Sequence, residues 1–117
     1  MTIKIKRAYD PAKKSDGLRV LVDGLWPRGV TKDAARIDRW LKDIAPSGAL
    51  RKWFGHDPAK WVEFRKRYFR ELQKNSDAVA ELEKLLRKGP VTLIFSARDE
   101  EHNNAIALKE FIESKLE

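Results

Sequence analysis

Residues 91–104, VTLIFSARDEEHNN, decide the fold class of this chain. The apolar run 91–94 is typical of a buried strand, and a polar turn separates it from a tail whose apolar spacing is typical of a helix. Strands that lead directly into helices build α/β folds, in which ligands bind beyond the carboxyl ends of parallel strands. This turn carries a serine, an arginine, three carboxylates, a histidine and two amides. It is therefore a candidate site.

Two earlier segments have strand patterns. Residues 3–9 alternate with period two and stop at Asp10 and Pro11, and residues 18–22 form a nearly continuous apolar run that suits a central strand. Three strands with helices between them predict one α/β domain over residues 1–117. We expect a small, mostly parallel β-sheet of three to four strands sandwiched by helices, and the pattern does not place the fourth strand.

Start and stop residues predict the helices between the strands. Ser47 and Gly55 bracket a short helix, and Asp57 is a candidate cap for the helix that follows. Ser96 and Asp99 have the spacing of a capping box for the last helix, whose first turn would hold His102. Thr31 is a candidate cap for a helix with one apolar stripe, formed by Ala34, Ile37, Trp40, Leu41 and Ile44.

Composition excludes several classes of protein. A chain of 117 residues fits one core, and no apolar run approaches the roughly 20 residues that a membrane-spanning helix needs. The absence of cysteine excludes disulfides, thiolate catalysis and cysteine zinc sites. The first seven residues alternate charge with β-branched side chains, unlike a signal peptide. These features predict a cytoplasmic protein with no membrane contact.

The positive charge is concentrated in one part of the chain. Residues 1–70 hold 18 Lys or Arg and 8 Asp or Glu, whereas residues 71–117 hold 7 and 10. A basic face favours an anionic small molecule or a nucleic acid as partner, although solvated helix surfaces explain it equally well. The strongest cluster for a nucleic-acid interface lies within residues 32–70 and comprises Lys60, Lys66, Arg67 and Arg70. Nothing in the sequence indicates an oligomeric state.

If the strands are parallel, the segments that follow them meet at one edge of the sheet. His102 is a candidate general acid or base, or a donor to phosphate, and it is otherwise a surface or capping histidine. Asp23 is a candidate base or cation ligand, and it otherwise hydrogen-bonds the turn backbone. Ser96, Asp99 and His102 invite comparison with a catalytic triad, but their closeness in sequence makes capping the better interpretation.

Five more residues are candidates for ligand binding. Arg28 and Arg98 can hold a carboxylate or phosphate through their planar guanidinium groups, and Arg98 can equally pair with a neighbouring acid. The Trp26 side chain either stacks on a base or sugar ring of the ligand or packs in the core. Asn103 and His56 complete the set. The histidines lack the spacing of a metal site, so no metal and no particular cofactor is predicted.

Long stretches of the chain resemble a known family. The stretches are residues 20–29 (VLVDGLWPRG), 40–47 (WLKDIAPS), 50–58 (LRKWFGHDP), 89–93 (GPVTL) and 96–105 (SARDEEHNNA). They resemble the YeaO-like proteins of domain-of-unknown-function family 488. The resemblance covers nearly the whole chain and implies a small prokaryotic intracellular α/β protein. It implies no activity, because that family is functionally uncharacterised.

The chain departs from the family pattern at two points. Such sequences usually carry an arginine after the motif aspartate, where this chain has Gly24. If that arginine carries the family's function, this chain binds its ligand more weakly or differently. Some relatives place cysteines near the last strand, and this chain has none, so thiol chemistry does not carry over.

Together these features predict binding of a phosphate- or nucleotide-like anion at the carboxyl edge of the sheet. Arg28 and Arg98 would hold the anion, His102 would donate or shuttle a proton, and Asp23 would orient a hydroxyl or a metal-bound water. Hydrolysis or group transfer fits this arrangement, but the sequence does not decide whether the protein is an enzyme. The alternative is a nucleic-acid-binding or regulatory module that uses the basic helical face.

Overall fold

A four-stranded, fully parallel sheet forms the centre of the computed structural model, which describes residues 2–116. The strands are β1 (Ile3–Arg7), β2 (Leu18–Leu21), β3 (Arg39–Trp40) and β4 (Val91–Phe95), and their order across the sheet is β1-β4-β2-β3. All three pairings are parallel. The predicted α/β class and the three predicted strands are therefore confirmed, and β3 is the fourth strand that the sequence pattern did not place.

Five α-helices connect or follow the strands within residues 2–116. They are α1 (Lys32–Ala35), α2 (Gly48–Phe54), α3 (Trp61–Lys74), α4 (Ser76–Lys88) and α5 (Asn104–Leu116). The cap predicted at Thr31 is confirmed, because its hydroxyl oxygen accepts from the third backbone N–H of α1. The short helix predicted to begin at Ser47 is also present, and the Ser47 hydroxyl caps it in the same way. Asp57 caps a short turn that leads into α3, and Gly55 ends α2 in a left-handed conformation.

The single helix predicted across residues 31–44 is wrong. α1 ends after one turn because Arg36 adopts a left-handed conformation with φ of 47°. Arg39–Trp40 then pairs with β2, and the Asp38 carboxylate accepts from the backbone N–H of Arg19. Leu41 and Ile44 of the predicted stripe are buried, the other three stripe residues are partly buried or exposed, and sheet pairing overrides the helical spacing.

The larger core lies on one face of the sheet. Alternate strand residues such as Val20 and Leu93 are fully buried there against α2, α3, α4 and α5. A smaller cluster of Leu21 and Ile94 covers the opposite face together with Trp26 and Trp40. Among residues 2–116, none of the helices combines the length and apolarity needed to cross a bilayer.

A buried ion pair stabilises the opposite face. Asp16 is 5% exposed and Arg19 is 3% exposed, and Arg19 Nη1 donates to Asp16 Oδ2 at 2.7 Å. Lys6 and the backbone N–H of Lys13 also donate to this carboxylate. Burial raises the pKa of Asp16, but the hydrogen bonds from Lys13, Lys6 and Arg19 outweigh it, so the pKa is lowered overall.

We expect the contribution of Asp16 to stability to disappear in acid. Because its pKa is lower in the folded chain than in the unfolded chain, the carboxylate stabilises the fold above about pH 4 and loses this effect as the pH falls through the folded value. Urea unfolding of the wild type and of Asp16→Asn should therefore give free energies that differ at pH 7 and converge towards pH 2. The exposed Asp33→Asn is the control, and a difference that persists unchanged at pH 2 would contradict this assignment.

Candidate functional site

A cleft of about 410 Å³ opens at the carboxyl edge of the sheet. It is lined by residues that follow each of the four strands: Tyr9 after β1, Asp23 after β2, Ala45 after β3 and Ser96 after β4. The predicted convergence of these segments is therefore present. The volume of the cleft lies within the range of roughly 300–1,000 Å³ that is usual for small-molecule pockets.

The remaining wall comes mainly from the turn after β2, from α2 and the residues after it, and from the start of α5. The residues that line the cleft besides the four named above are Gly24, Leu25, Trp26, Arg28, Pro46, Arg51, Phe54, His56, Phe64, Ala97, Asn103 and Asn104.

Asp23 ties three of these segments together. Its Oδ2 accepts from the backbone N–H of Ser96 at 2.9 Å and from the Ser96 hydroxyl at 2.7 Å. Its Oδ1 accepts from Asn104 Nδ2 at 3.1 Å, so the end of β4 and the start of α5 are both held to the end of β2. Both oxygens of this candidate base are therefore already hydrogen-bonded within the chain.

The capping box predicted for Ser96 and Asp99 is wrong. The chain first makes a turn in which Asp99 Oδ1 accepts from the backbone N–H groups of Glu101 and His102. α5 begins only at Asn104, and Asn103 caps it, because its Oδ1 accepts from Ile106 N at 3.0 Å. His102 consequently precedes the helix instead of lying in its first turn. Asn103 lines the cleft, but its side chain is engaged in this cap.

His102 lies outside the group of side chains that line the cleft. Its Nδ1 is 2.9 Å from Asp99 Oδ2, and its ring meets Trp61 edge to face at 5.4 Å. Hydrogen bonds from Glu101 N and from His102 lower the pKa of Asp99. Because Ser96 bonds to Asp23 whereas His102 bonds to Asp99, these residues do not form a serine–histidine–aspartate relay.

Among the residues that the structure describes, two arginines line the cleft, and only one of them was predicted as a ligand-binding residue. Arg28 and Arg51 both contribute to its walls, whereas Arg98 is exposed and lies outside them. Within residues 2–116, neither Arg28 nor Arg51 has a side-chain hydrogen bond or ion pair. The sequence held a signal for Arg51, since it lies three residues before Phe54 and thus on the same side of α2.

Trp26 and His56 both border the cleft. The Trp26 indole donates to Val30 O at 2.7 Å and meets Trp40 edge to face at 5.5 Å. These contacts favour the prediction that Trp26 packs in the core. His56 is exposed and directly follows Gly55, and its φ of 58° is unusual for a residue with a side chain.

The basic helical face is partly occupied by contacts within the chain. Lys60 donates to Trp53 O at 2.9 Å, and the Arg67 guanidinium lies 4.1 Å from the Trp53 ring centroid and pairs with Glu63. Lys66 and Arg70 are exposed. Over the described part of the chain, no three His, Asp or Glu side chains group as a metal site would require.

Comparison with known proteins assigns the chain to a family. It is 41% identical over 114 residues to the uncharacterised protein YeaO of Escherichia coli, covering 97% of this chain and 99% of that protein. It is 39% identical over 113 residues to the uncharacterised protein Rv3073c of Mycobacterium tuberculosis, covering 97% and 95%. No solved structure matches the chain significantly. A family model described as the inactive subclade of DUF488-N3 matches residues 2–117, and the chain belongs to this family.

Proposed function

We propose that this protein binds a small phosphate- or nucleotide-like anion in the cleft at the carboxyl edge of the sheet. The observation that carries the proposal is the pair of arginines on the cleft walls, Arg28 and Arg51, which have no acceptor among residues 2–116. A guanidinium group presents several donors in one plane and matches the oxygens of a phosphate or carboxylate.

The charge around the cleft supports an anion over a cation. Among the described lining residues, Asp23 is the one carboxylate, and hydrogen bonds from Ser96 and Asn104 already engage it. The two arginines therefore outnumber the one acid on the described cleft walls. Asp23 acts here as a positioning residue that fixes the wall.

Several features favour binding without catalysis. The two residues expected to handle protons, Asp23 and His102, are both hydrogen-bonded to other parts of the chain, and His102 lies outside the cleft wall. The family model is described as an inactive subclade, and among residues 2–116 no histidine hydrogen-bonds to Ser96 as a serine nucleophile would require. Hydrolysis and group transfer are therefore not part of this proposal.

Gly24 offers a direct test, because the cleft has room for a side chain there. A Cβ on Gly24 would lie 3.7 Å from Ala45 Cβ, which is an ordinary contact distance. We expect Gly24→Arg to bind adenosine monophosphate (AMP) roughly 3- to 10-fold more tightly than the wild type, since it adds a third cation to the cleft. Isothermal titration calorimetry at low and high salt would measure both affinities.

Ala80→Arg is the matched control, because Ala80 is exposed on α4 and does not line the cleft. It adds the same charge and should leave the affinity unchanged. If Gly24→Arg and Ala80→Arg gain affinity for AMP equally, the attraction comes from the net charge of the protein and not from the cleft. If neither the wild type nor Gly24→Arg binds AMP or inorganic phosphate saturably, the proposed function is wrong.

A further inference from the structure

The rim of the cleft combines its cations with exposed apolar surface. Three large hydrophobic side chains are markedly exposed among residues 2–116, namely Tyr9 at 46%, Leu25 at 63% and Val62 at 60%. Two of the three, Tyr9 and Leu25, line the cleft. A single exposed leucine is ordinary, but the grouping of such side chains around one concave site marks a surface that contacts a ligand.

Tyr9 is anchored to the backbone of the segment that carries Arg28. Its hydroxyl donates to the backbone oxygen of Arg28 at 2.9 Å, and the Arg7 guanidinium lies 5.0 Å from its ring centroid. The ring therefore loses little freedom when a ligand packs on it. An anchored aromatic ring in a cleft whose walls also carry cations suits a nucleobase stacked on the ring and a phosphate held by the cations.

Leu25 extends the same apolar rim. It follows Gly24 in the turn after β2 and precedes Trp26, whose indole is held by Val30 O. Leu25 is 63% exposed and belongs to neither hydrophobic cluster of residues 2–116. A bare phosphate or a sugar phosphate would leave this surface in water, whereas a planar base would cover it.

Building on the proposed function, we infer that the ligand is a nucleotide, with its base against Tyr9 and Leu25 and its phosphate near Arg28 and Arg51. The inference separates nucleotides from inorganic phosphate and sugar phosphates, which share the anion but lack the base. It deepens the anion-binding proposal and depends on it.

The test compares three probes, AMP, ribose phosphate and inorganic phosphate, by calorimetry on the wild type, Leu25→Ser and Val62→Ser. We expect the wild type to bind AMP at least about fivefold more tightly than ribose phosphate. Leu25→Ser should reduce the affinity for AMP by roughly three- to tenfold and leave that for ribose phosphate unchanged. Val62→Ser is the matched control, with similar exposure outside the cleft, and should change neither affinity.

Each contrary outcome has a distinct meaning. Equal affinities for AMP and ribose phosphate, or an unchanged AMP affinity in Leu25→Ser, would overturn the nucleotide inference while leaving anion binding intact. Equal losses in Leu25→Ser and Val62→Ser would also overturn it. Absence of binding by all three probes would overturn the proposed function itself, and this inference with it.

Discussion

Replacing Asp23 with alanine is expected to lower the free energy of unfolding by about 2–4 kcal/mol. The carboxylate accepts hydrogen bonds from Ser96 N, Ser96 Oγ and Asn104 Nδ2, and it joins the ends of β2 and β4 to the start of α5. Its removal leaves the partly buried N–H of Ser96 without its acceptor. Urea unfolding at pH 7 would measure the loss.

Ser96→Ala provides the graded comparison. It removes the hydroxyl hydrogen bond and keeps the one from the backbone N–H, so we expect a smaller loss of roughly 0.5–1.5 kcal/mol. If Asp23→Ala unfolds within about 0.5 kcal/mol of the wild type, the carboxylate is not an anchor of the cleft wall. That result would favour the role predicted for Asp23 from the sequence, a base or a group that orients a hydroxyl.

Replacing both cleft arginines is expected to have the largest effect on binding. A hydrogen bond to a charged group contributes about 1.5–3 kcal/mol, and both arginines are exposed, so the loss of one of them should weaken AMP binding about tenfold, at the lower end of this range. Arg28→Gln with Arg51→Gln should weaken it on the order of 100-fold. Stability should change by less than about 0.5 kcal/mol, because neither guanidinium has a partner within residues 2–116.

Arg70→Gln is the control for this double variant. Arg70 is exposed on α3, within the basic face that the nucleic-acid alternative would use. Its replacement removes a positive charge without touching the cleft and should leave AMP affinity within about twofold of the wild type. A loss in Arg70→Gln as large as in the double variant would locate the anion on the basic helical face instead.

The strands were predictable because their signals are local. β1 alternates with period two, and β2 and β4 are apolar runs that end at polar turns, so their burial and parallel arrangement follow from pattern and class. β3 was not predictable, because its two residues lie inside a stretch whose spacing suits a helix. Its strand conformation depends on pairing with β2 and on the left-handed turn at Arg36, and neither leaves a local pattern.

The location of the site could be predicted better than the residues that line it. Parallel strands bring the turns after them to one edge, so the meeting of Asp23 with Ser96 followed from the fold. Arg98 and His102 could not be placed, because the turn at Asp99 that precedes α5 leaves no local pattern, and neither residue lines the cleft. Arg51 was missed because it comes from a helix distant in sequence, and tertiary packing brings it to the strand ends.

Chemical-shift mapping of the backbone amides during a titration with AMP tests the central claim most directly, because it locates the ligand without any substitution. An anion bound in the cleft should produce saturable shifts at Arg28, Arg51, Ser96 and Asn104, with little change at Lys66 and Arg70 on the exposed face of α3. Shifts confined to Lys66 and Arg70, or none that saturate, would contradict an anion-binding cleft at the carboxyl edge of the sheet.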